Sequence, residues 1–592
     1  MSILPAALPF DDSRRLTGSN LYFEGAGAVL ETVGVAIDDV LLDGWRARAA
    51  RACRALGWGD ALLVVRGHAS GAALAFEAPL DQLFSATEVN EWAWLATLAI
   101  VRSINAGLHA PGHPAAWDEA SALHTLRAFA VAERQPDLPL LVQAAEAHGL
   151  TVLIDDEVFS IGEGTGARSW PLKELPAIDA VPWTALHDIP VVLVTGSNGK
   201  TTTVRLLAAM AQAHGWYAGH SCTDGVFVDG RAIDSGDFSG PAGAREVLRQ
   251  TQVEAAVLET ARGGILRRGL AVQRANVAVV TNVSDDHFGE YGIHDLDGLA
   301  AVKLTVARVL GADGLLVLNA DDAVLATQAA ALSVPLGWFA IDDAHPLLRA
   351  RREQGGSTCG VRDGCLHVFH QGVDHDLGVV AQMPLSFAGS ANYNIANIAA
   401  AALAAAALAI PAETIASVLA RFGRAHADNP GRLQHWRFGE LQVFVDYAHN
   451  PEGLRGLLGV ATTALGDGRL GLVLGQAGNR EDADIRELAA VAASFHPRRV
   501  VLKDIEGFMR GRASGEVASI LRDELLRQGV PAKAAVECLD ELDAARSLLT
   551  WAHDGDVLVL PTHGVQARQA VVALLEGLRA TGWLASMALP SA

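Results

Sequence analysis

The sequence predicts an α/β protein built in three parts, and three observations carry that expectation. From Ile189 onward the short apolar runs Val191–Val194, Ala255–Leu258, Val277–Thr281 and Gly314–Leu318 alternate with segments of helical spacing. Strands separated by helices imply a parallel sheet covered on both faces. A second series starts near Asp428, with Leu441–Val445, Leu470–Leu474, Arg499–Lys503 and Val557–Leu560 between helical segments; it reads as a smaller, Rossmann-like unit. Upstream, the pattern is mixed α/β without a catalytic constellation. The expected division is an N-terminal α/β domain over 1–170, a linker over 171–188, a central phosphate-loop domain over 189–427 and a C-terminal domain over 428–592.

In chain order, Ala61–Arg66 is strand-like and Glu91–Ala106 is an apolar-rich helix candidate. Leu138–His148 has helical spacing, Gly149 ends it, and Leu150–Ile154 returns to a strand pattern. Gly162–Pro182 holds glycine and proline and reads as linker. Val191–Val194 leads into a glycine loop, and a helix is expected from there through Ala213. The longest apolar run, Ile398–Ile410, is ended by Pro411. It is too short for the roughly 20 residues that span a bilayer, and its alanines suit a buried helix that neighbours approach closely.

Half of the 592 residues are hydrophobic, which excludes extended disorder as the main state. A formal charge of −21 repels phosphate backbones at long range, so nucleic acid is not an expected partner. The cysteines, Cys53, Cys222, Cys359, Cys365 and Cys538, form no CxxC pair and are odd in number, which fits a reducing compartment and a packing role. The N-terminus lacks a basic start followed by an apolar core. The expectation is a soluble cytoplasmic protein with no membrane partner.

The sharpest chemical signal is Thr195-Gly196-Ser197-Asn198-Gly199-Lys200-Thr201-Thr202, between an apolar strand and a helix. Glycines let backbone N–H groups turn toward phosphate oxygens, and the helix N-terminus adds its positive end. Lys200 can reach the β- and γ-phosphates and the Thr201 hydroxyl can ligate Mg²⁺. Glu259 follows Ala255–Leu258, and Asp285, Asp286 and His287 follow Val277–Thr281. Ligands of open α/β sheets bind beyond the carboxyl ends of the strands, where Glu259 and His287 can share Mg²⁺ with Thr201. Arg262, Arg267 and Arg268 form a basic cluster on an acidic chain, suited to carboxylate recognition. Arg480, Arg510 and Arg512 are candidates for similar work, and Asp482, Asp484 and Glu506 for meeting a cationic amine.

At these residues the chain resembles the Mur ligase superfamily, and within it the Mur-ligase half of cyanophycin synthetases, from Trp183 to near the end. The phosphate loop with Gly196, Ser197, Asn198, Gly199, Lys200, Thr201 and Thr202 is similar to that family's. Thr223-Asp224-Gly225 and Gly236-Asp237-Phe238-Ser239-Gly240-Pro241 resemble a substrate-side segment, and Glu259–Arg267 is close to a diagnostic run. The resemblance implies roles for His287 at Mg²⁺ and for Lys303 as an active-site lysine, carbamylated in some members. Asn319-Ala320-Asp321-Asp322 and Asn394-Ile395-Ala396-Asn397 resemble nucleotide-side motifs. Asn429-Pro430-Gly431-Arg432 and Asp446-Tyr447-Ala448-His449-Asn450-Pro451 resemble those by which the last domain engages ATP. Arg510-Gly511-Arg512 matches a late loop.

What the resemblance implies is a ligase that uses ATP and Mg²⁺. A carboxylate attacks the γ-phosphate, giving an acyl phosphate and ADP, and an amine then displaces phosphate. Lys200, Glu259, His287 and Lys303 would serve the chemistry, Asn319, Asp321, Asn394, Asn397, Arg432 and Asp446 the nucleotide. Thr223, Asp224, Asp237, Arg262, His449, Arg480, Arg510 and Arg512 would serve the substrates, an acidic peptide or aspartate-containing polymer and an amino acid. The sequence also departs from the family. Arg15–Leu21 and Leu138–Gly162 loosely resemble its N-terminal domain and the opening of its ATP-grasp region, but only residues 163–182 stand where a whole ATP-grasp domain would follow. Ser197 replaces the commoner threonine, Tyr393 a common histidine, and Gln476–Arg480 a Pro-Gly-Asp-Arg-like run. The alternative is a non-catalytic or partner-dependent ATP-binding subunit; a homo-oligomer is compatible with either.

Overall fold

A computed structural model describes residues 9–103, 118–285, 288–585 and 587–590. The described residues form two units, one drawn from those within 9–283, 288–338 and 403–410, the other from those within 284–285, 339–402 and 411–590. The expected α/β class is what the structure shows.

The first unit opens with an antiparallel sheet in the order β1 (Phe10–Leu16), β2 (Gly27–Thr32), β4 (Gly71–Glu77), β3 (Leu63–His68). The expected strand Ala61–Arg66 thus begins and ends two residues later, because Leu63–His68 is what pairs with Gly71–Phe76 across a tight turn. The helices Asp39–Leu56 and Leu83–Arg102 cover one face, with Trp45, Trp92 and Trp94 fully buried. The second of these starts eight residues before the expected Glu91; Ile104–Ala106 of that expectation lie outside the described residues. The segment expected as linker, 162–182, contains a strand. β5 (Val152–Ile154), β6 (Val158–Ile161) and β7 (Arg168–Pro171) form a small antiparallel sheet, with Val158 paired to Pro171. Glycine and proline there mark turns between short paired strands rather than an unstructured connection.

The main sheet of this unit runs β11 (Arg231–Ser235), β10 (Gly225–Val228), β9 (Ala218–Cys222), β12 (Ala255–Glu259), β8 (Val191–Thr195), β13 (Ala275–Val280), β14 (Leu310–Asn319). β9, β12, β8, β13 and β14 are parallel; β10 and β11 add an antiparallel edge. β8 lies between β12 and β13, and Val191–Val194 are all buried, which is why that run is apolar without alternation. The register sets Glu259 opposite Val194 and Val280 opposite Thr195, so the ends of three neighbouring strands meet at one level. The strand β15 (Leu336–Asp342) follows. The alanine-rich run lies in the helix Asn392–Ala407, whose residues Ile398–Ala405 are fully buried.

In the second unit, β16 (Thr358–Arg362), β17 (Cys365–His370) and β18 (Val373–Val379) form an antiparallel meander. Its other sheet runs β19 (Gln434–Phe438), β20 (Leu441–Asp446), β24 (Val557–Pro561), β21 (Leu470–Leu474), β22 (Arg499–Leu502), β23 (Ala535–Glu537). All but the β19–β20 hairpin is parallel. Apolar layers lie on both faces, one around Leu457, Leu488 and Leu521, the other around Leu548, Val571 and Leu575. No helix among the described residues is long and apolar enough to cross a membrane.

Asp556, just before β24, is buried and accepts hydrogen bonds from Arg469 N and Nε at 3.0 Å and from His553 N at 2.8 Å. Burial raises its pKa, but the Arg469 hydrogen bond, with those backbone donors, outweighs that and holds the carboxyl below its ordinary value. A depressed folded pKa contributes stability above the unfolded pKa that is lost as pH falls through the folded one. Asp556→Asn should therefore be destabilised at pH 7 and lose less than wild type on acidification below about pH 4. Urea midpoints of the full chain at both pH values check this, and equal losses would refute it.

Candidate active site

β8 delivers the chain into the glycine loop, and the helix Lys200–His214 starts on Gly199, whose φ is +84°. Gly196 has φ +147°, and a Cβ there would lie 1.8 Å from Thr281 Oγ1. That closeness exists because the end of β13 braces the loop. Asn282 accepts from Ser197 N through its carbonyl at 3.0 Å and from Asn198 N through Oδ1 at 2.9 Å. Thr281 Oγ1 and Asn282 Nδ2 donate to the Asn198 carbonyl at 2.6 and 3.1 Å. Sequence reasoning read Thr281 only as the end of a strand and did not single out Asn282; two polar residues closing an apolar strand were the available signal. Lys200 Nζ donates to the carbonyls of Gly196 and Ser197 at 3.0 and 3.1 Å, which holds its ammonium over the loop.

Glu259 is brought to this loop. Its carboxylate, buried at the end of β12, accepts from Thr201 Oγ1 at 2.8 Å and from Thr223 Oγ1 at 3.1 Å. Thr223 therefore joins the phosphate-loop group. Its neighbour Asp224 pairs with Arg205 at 3.0 Å, one helical turn beyond Thr201. Behind them His220 stacks on Phe227 with centroids 4.7 Å apart, and burial, then the Arg205 charge, pushes its pKa down to about 3. Asp237 is exposed and accepts from Ser239 N and Oγ at 3.1 and 2.6 Å. Lys303 is buried near the end of the helix Leu296–Leu304. Asp286 and His287 lie outside the described residues.

The basic cluster is divided by the fold. Arg262 is buried and paired with Glu290. Arg267 is exposed and donates to the Gly263 carbonyl at 3.0 Å. Arg268 faces the N-terminal sheet: its carbonyl accepts from Thr17 N at 2.8 Å, and burial and the Arg15 charge lower its pKa. Asn319, at the end of β14, donates to the Thr281 carbonyl at 3.0 Å and accepts from Asp321 N at 3.0 Å, so both belong to the strand-end cluster around the phosphate loop.

Other candidates lie in the second unit. Asn394 donates to the Leu385 carbonyl at 3.0 Å and accepts from Asn397 at 3.3 Å, both buried. The Arg432 guanidinium lies 4.4 Å over the Tyr447 ring. Asp446, at the end of β20, accepts from Leu433 N at 2.6 Å and Ala448 N at 2.7 Å. Burial raises its pKa against the opposing Arg432 charge and these bonds, and the net shift is upward. His449 Nδ1 lies 3.2 Å from the Tyr447 carbonyl. Arg480 is buried, whereas Arg510 is exposed at φ +49°. Arg512 donates to the Gly478 and Arg480 carbonyls at 2.9 and 2.8 Å and pairs with Asp482 and Glu516 at 2.8 Å. It ties one loop together, and Asp482 is engaged there. Asp484 is half-buried and Glu506 is exposed.

A glycine loop on a parallel strand, with a threonine and a buried carboxylate meeting at its helix, is an arrangement that can take a phosphate. Residues 194–405 match the family model of the Mur ligase middle domain, and residues 431–562 that of the Mur ligase, glutamate ligase domain. The chain belongs to the Mur ligase family. It is 34% identical over 374 residues to a cyanophycin synthetase of Synechocystis sp., covering 63% of this chain and 42% of that one. It is 37% identical over 374 residues to the cyanophycin synthetase of Trichormus variabilis, covering 63% and 41%. A UDP-N-acetylmuramoyl-L-alanyl-D-glutamate–2,6-diaminopimelate ligase of Xanthomonas campestris is 29% identical over 386 residues, covering 64% and 73%. The chain spans about two fifths of the length of the cyanophycin synthetases it matches.

Proposed function

We propose that this chain is an ATP-dependent, ADP-forming carboxylate–amine ligase. The reading that fits best joins an amino acid to an acidic peptide or aspartate-containing polymer. The single observation that carries it is the meeting of Thr201, Thr223 and Glu259 beside the Gly196–Lys200 loop. In the proposed reaction a substrate carboxylate oxygen attacks the γ-phosphorus and ADP leaves. The amine nitrogen then attacks the acyl carbon, phosphate leaves, and the amine proton passes to water or a base. Such transfers need positioning and charge neutralisation. Lys200 offers its ammonium to the phosphates, and the loop N–H groups orient them.

The donor set fits Mg²⁺. Thr201 Oγ1 donates its hydrogen bond to Glu259 and keeps its lone pairs, and Glu259 is a hard oxygen ligand that accepts from the neutral hydroxyls of Thr201 and Thr223. Thr201 and Glu259 would hold the ion, with His287 and Lys303 added by resemblance. Bound there, Mg²⁺ supplies positive charge to the transferring phosphoryl group. The family's roles for Asn319, Asp321, Asn394, Asn397, Arg432 and Asp446 at the nucleotide remain part of this proposal. So do those of Asp237, Arg262, His449, Arg480 and Arg510 at the substrates. Asp224 and Arg512 keep their proposed place at the substrates as well, and their ion pairs shape the loops in which they stand.

The test is ADP release by the purified chain with Mg-ATP over an array of amino acids, with and without β-aspartyl acceptors such as cyanophycin or poly-aspartate. Turnover with one amine and one acceptor supports the proposal. ATP binding without turnover under any pairing overturns a stand-alone ligase. It would favour a partner-dependent subunit. Glu259→Gln, which keeps the shape but not the charge, should lower ADP release about 100-fold and raise the Mg²⁺ needed for half-maximal rate. An unchanged Mg²⁺ titration would remove Glu259 from the metal site.

A further inference from the structure

In the second unit, three strand ends converge on one lysine. Lys503 directly follows β22 and is fully buried. A buried ammonium is tolerated only when paired and hydrogen-bonded. Its ion-pair partner is Glu541, the first residue of the helix Glu541–Trp551. The same carboxylate accepts from His563 N at 2.9 Å and Gly564 N at 2.8 Å, the residues just after β24. Lys503 Nζ also reaches His563 Nδ1 at 3.1 Å. The lysine can only donate, so Nδ1 accepts and the ring proton sits on Nε2, which donates to the Ala448 carbonyl at 3.0 Å. Burial, then the Lys503 charge, pushes the His563 pKa well below its ordinary value, so the ring is neutral and this tautomer is held.

Ala448 lies between Asp446 and His449, in the loop after β20. The third strand end is that of β21. A Cβ on Gly475 would stand 2.7 Å from the Lys503 carbonyl and 2.8 Å from its Cγ. Gly475 opens the loop to Arg480. The loops after β20, β21 and β24 thus all rest on the Lys503 group. These are the carboxyl ends of neighbouring strands where such sheets bind ligands. For stability alone a buried ion pair is often replaceable by apolar side chains of similar volume. What Lys503, Glu541 and His563 add is direction.

We infer that Lys503, Glu541 and His563 form a positioning device that sets the Asp446–His449 loop for substrate handling. Its functional half rests on the ligase reading above. None of the three is assigned contact with a substrate; they act through Ala448 and the backbone of the strand-end loops. His563→Phe keeps a ring and removes both ring-nitrogen bonds. His563→Gln keeps a side-chain N–H for Ala448.

The test combines kinetics with amide hydrogen exchange, both on the full chain. His563→Phe should lower kcat/KM about 100-fold, the scale of a misplaced substrate group. It should speed exchange at Tyr447–Asn450 at least tenfold, by about the worth of one buried hydrogen bond, in a chain that still unfolds cooperatively in urea at a lowered midpoint. His563→Gln should recover most of both. Wild-type exchange in that loop, or wild-type kinetics, in His563→Phe overturns the inference. Should that variant not fold, His563→Asn, which keeps the bond to Lys503 and loses that to Ala448, is read in the same way. If the wild-type chain turns over no substrate pair, the ligase reading fails, and exchange still decides whether His563 orders the loop.

Discussion

Lys200→Ala is expected to lower ADP release at least about 1,000-fold, with the fold intact. Lys200 is the loop's own cation, and its Nζ is already fixed by the carbonyls of Gly196 and Ser197. No reorganisation is then needed when negative charge shifts onto the leaving phosphate. The alanine variant leaves the backbone of the loop in place, because that backbone is held by Thr281 and Asn282 rather than by the lysine. Its urea midpoint should therefore stay close to wild type. ADP release and ATP binding measured side by side check the prediction; turnover within tenfold of wild type would remove Lys200 from the chemistry.

Gly196→Ala should abolish nucleotide binding and destabilise the chain by about 1–3 kcal/mol. A Cβ at 1.8 Å from Thr281 Oγ1 cannot be accommodated without moving Thr281, and φ at +147° is a conformation that L side chains rarely adopt. Moving Thr281 breaks its 2.6 Å bond to the Asn198 carbonyl, so the loop loses its brace as well as its space. Thr281→Ala removes the obstructing hydroxyl at the cost of that same bond. The two changes should therefore be strongly non-additive, with Gly196→Ala/Thr281→Ala less destabilised than the sum of the single variants. Strict additivity in urea denaturation would show that the two residues do not meet.

The phosphate loop was legible because its parts are contiguous. An apolar run, two glycines, a lysine and a helical segment follow one another, and local sterics suffice to turn them into strand, loop and helix. The same holds for Leu470–Leu474, whose four apolar residues and one glycine coincide with β21. The linker expectation failed at Arg168–Pro171 for a related reason. The strand is short, carries a proline, and exists through pairing with Val158–Ile161, which composition does not announce.

The arginines mark the limit of reading charge without partners. As residue types, Arg262, Arg268 and Arg512 equally suit carboxylate recognition. The fold sets Arg262 beside Glu290, Arg268 against the N-terminal sheet, and Arg512 beside Asp482, Glu516 and two carbonyls. Asp224 meets Arg205 because strand register and helix phase bring them together.

The sequence by itself determined the α/β class, the phosphate loop with Lys200 and Thr201, and the strands that end at Glu259 and Asp446. These follow from hydrophobic period and from glycine and turn chemistry, which act over a few residues. Only the tertiary structure decided that Thr223 shares Glu259 with Thr201, that Thr281 and Asn282 brace the loop, and that Lys503, Glu541 and His563 meet beneath three strand ends. Those contacts join residues 22 to 115 positions apart. They depend on strand order and register, which emerge only when the whole chain has packed.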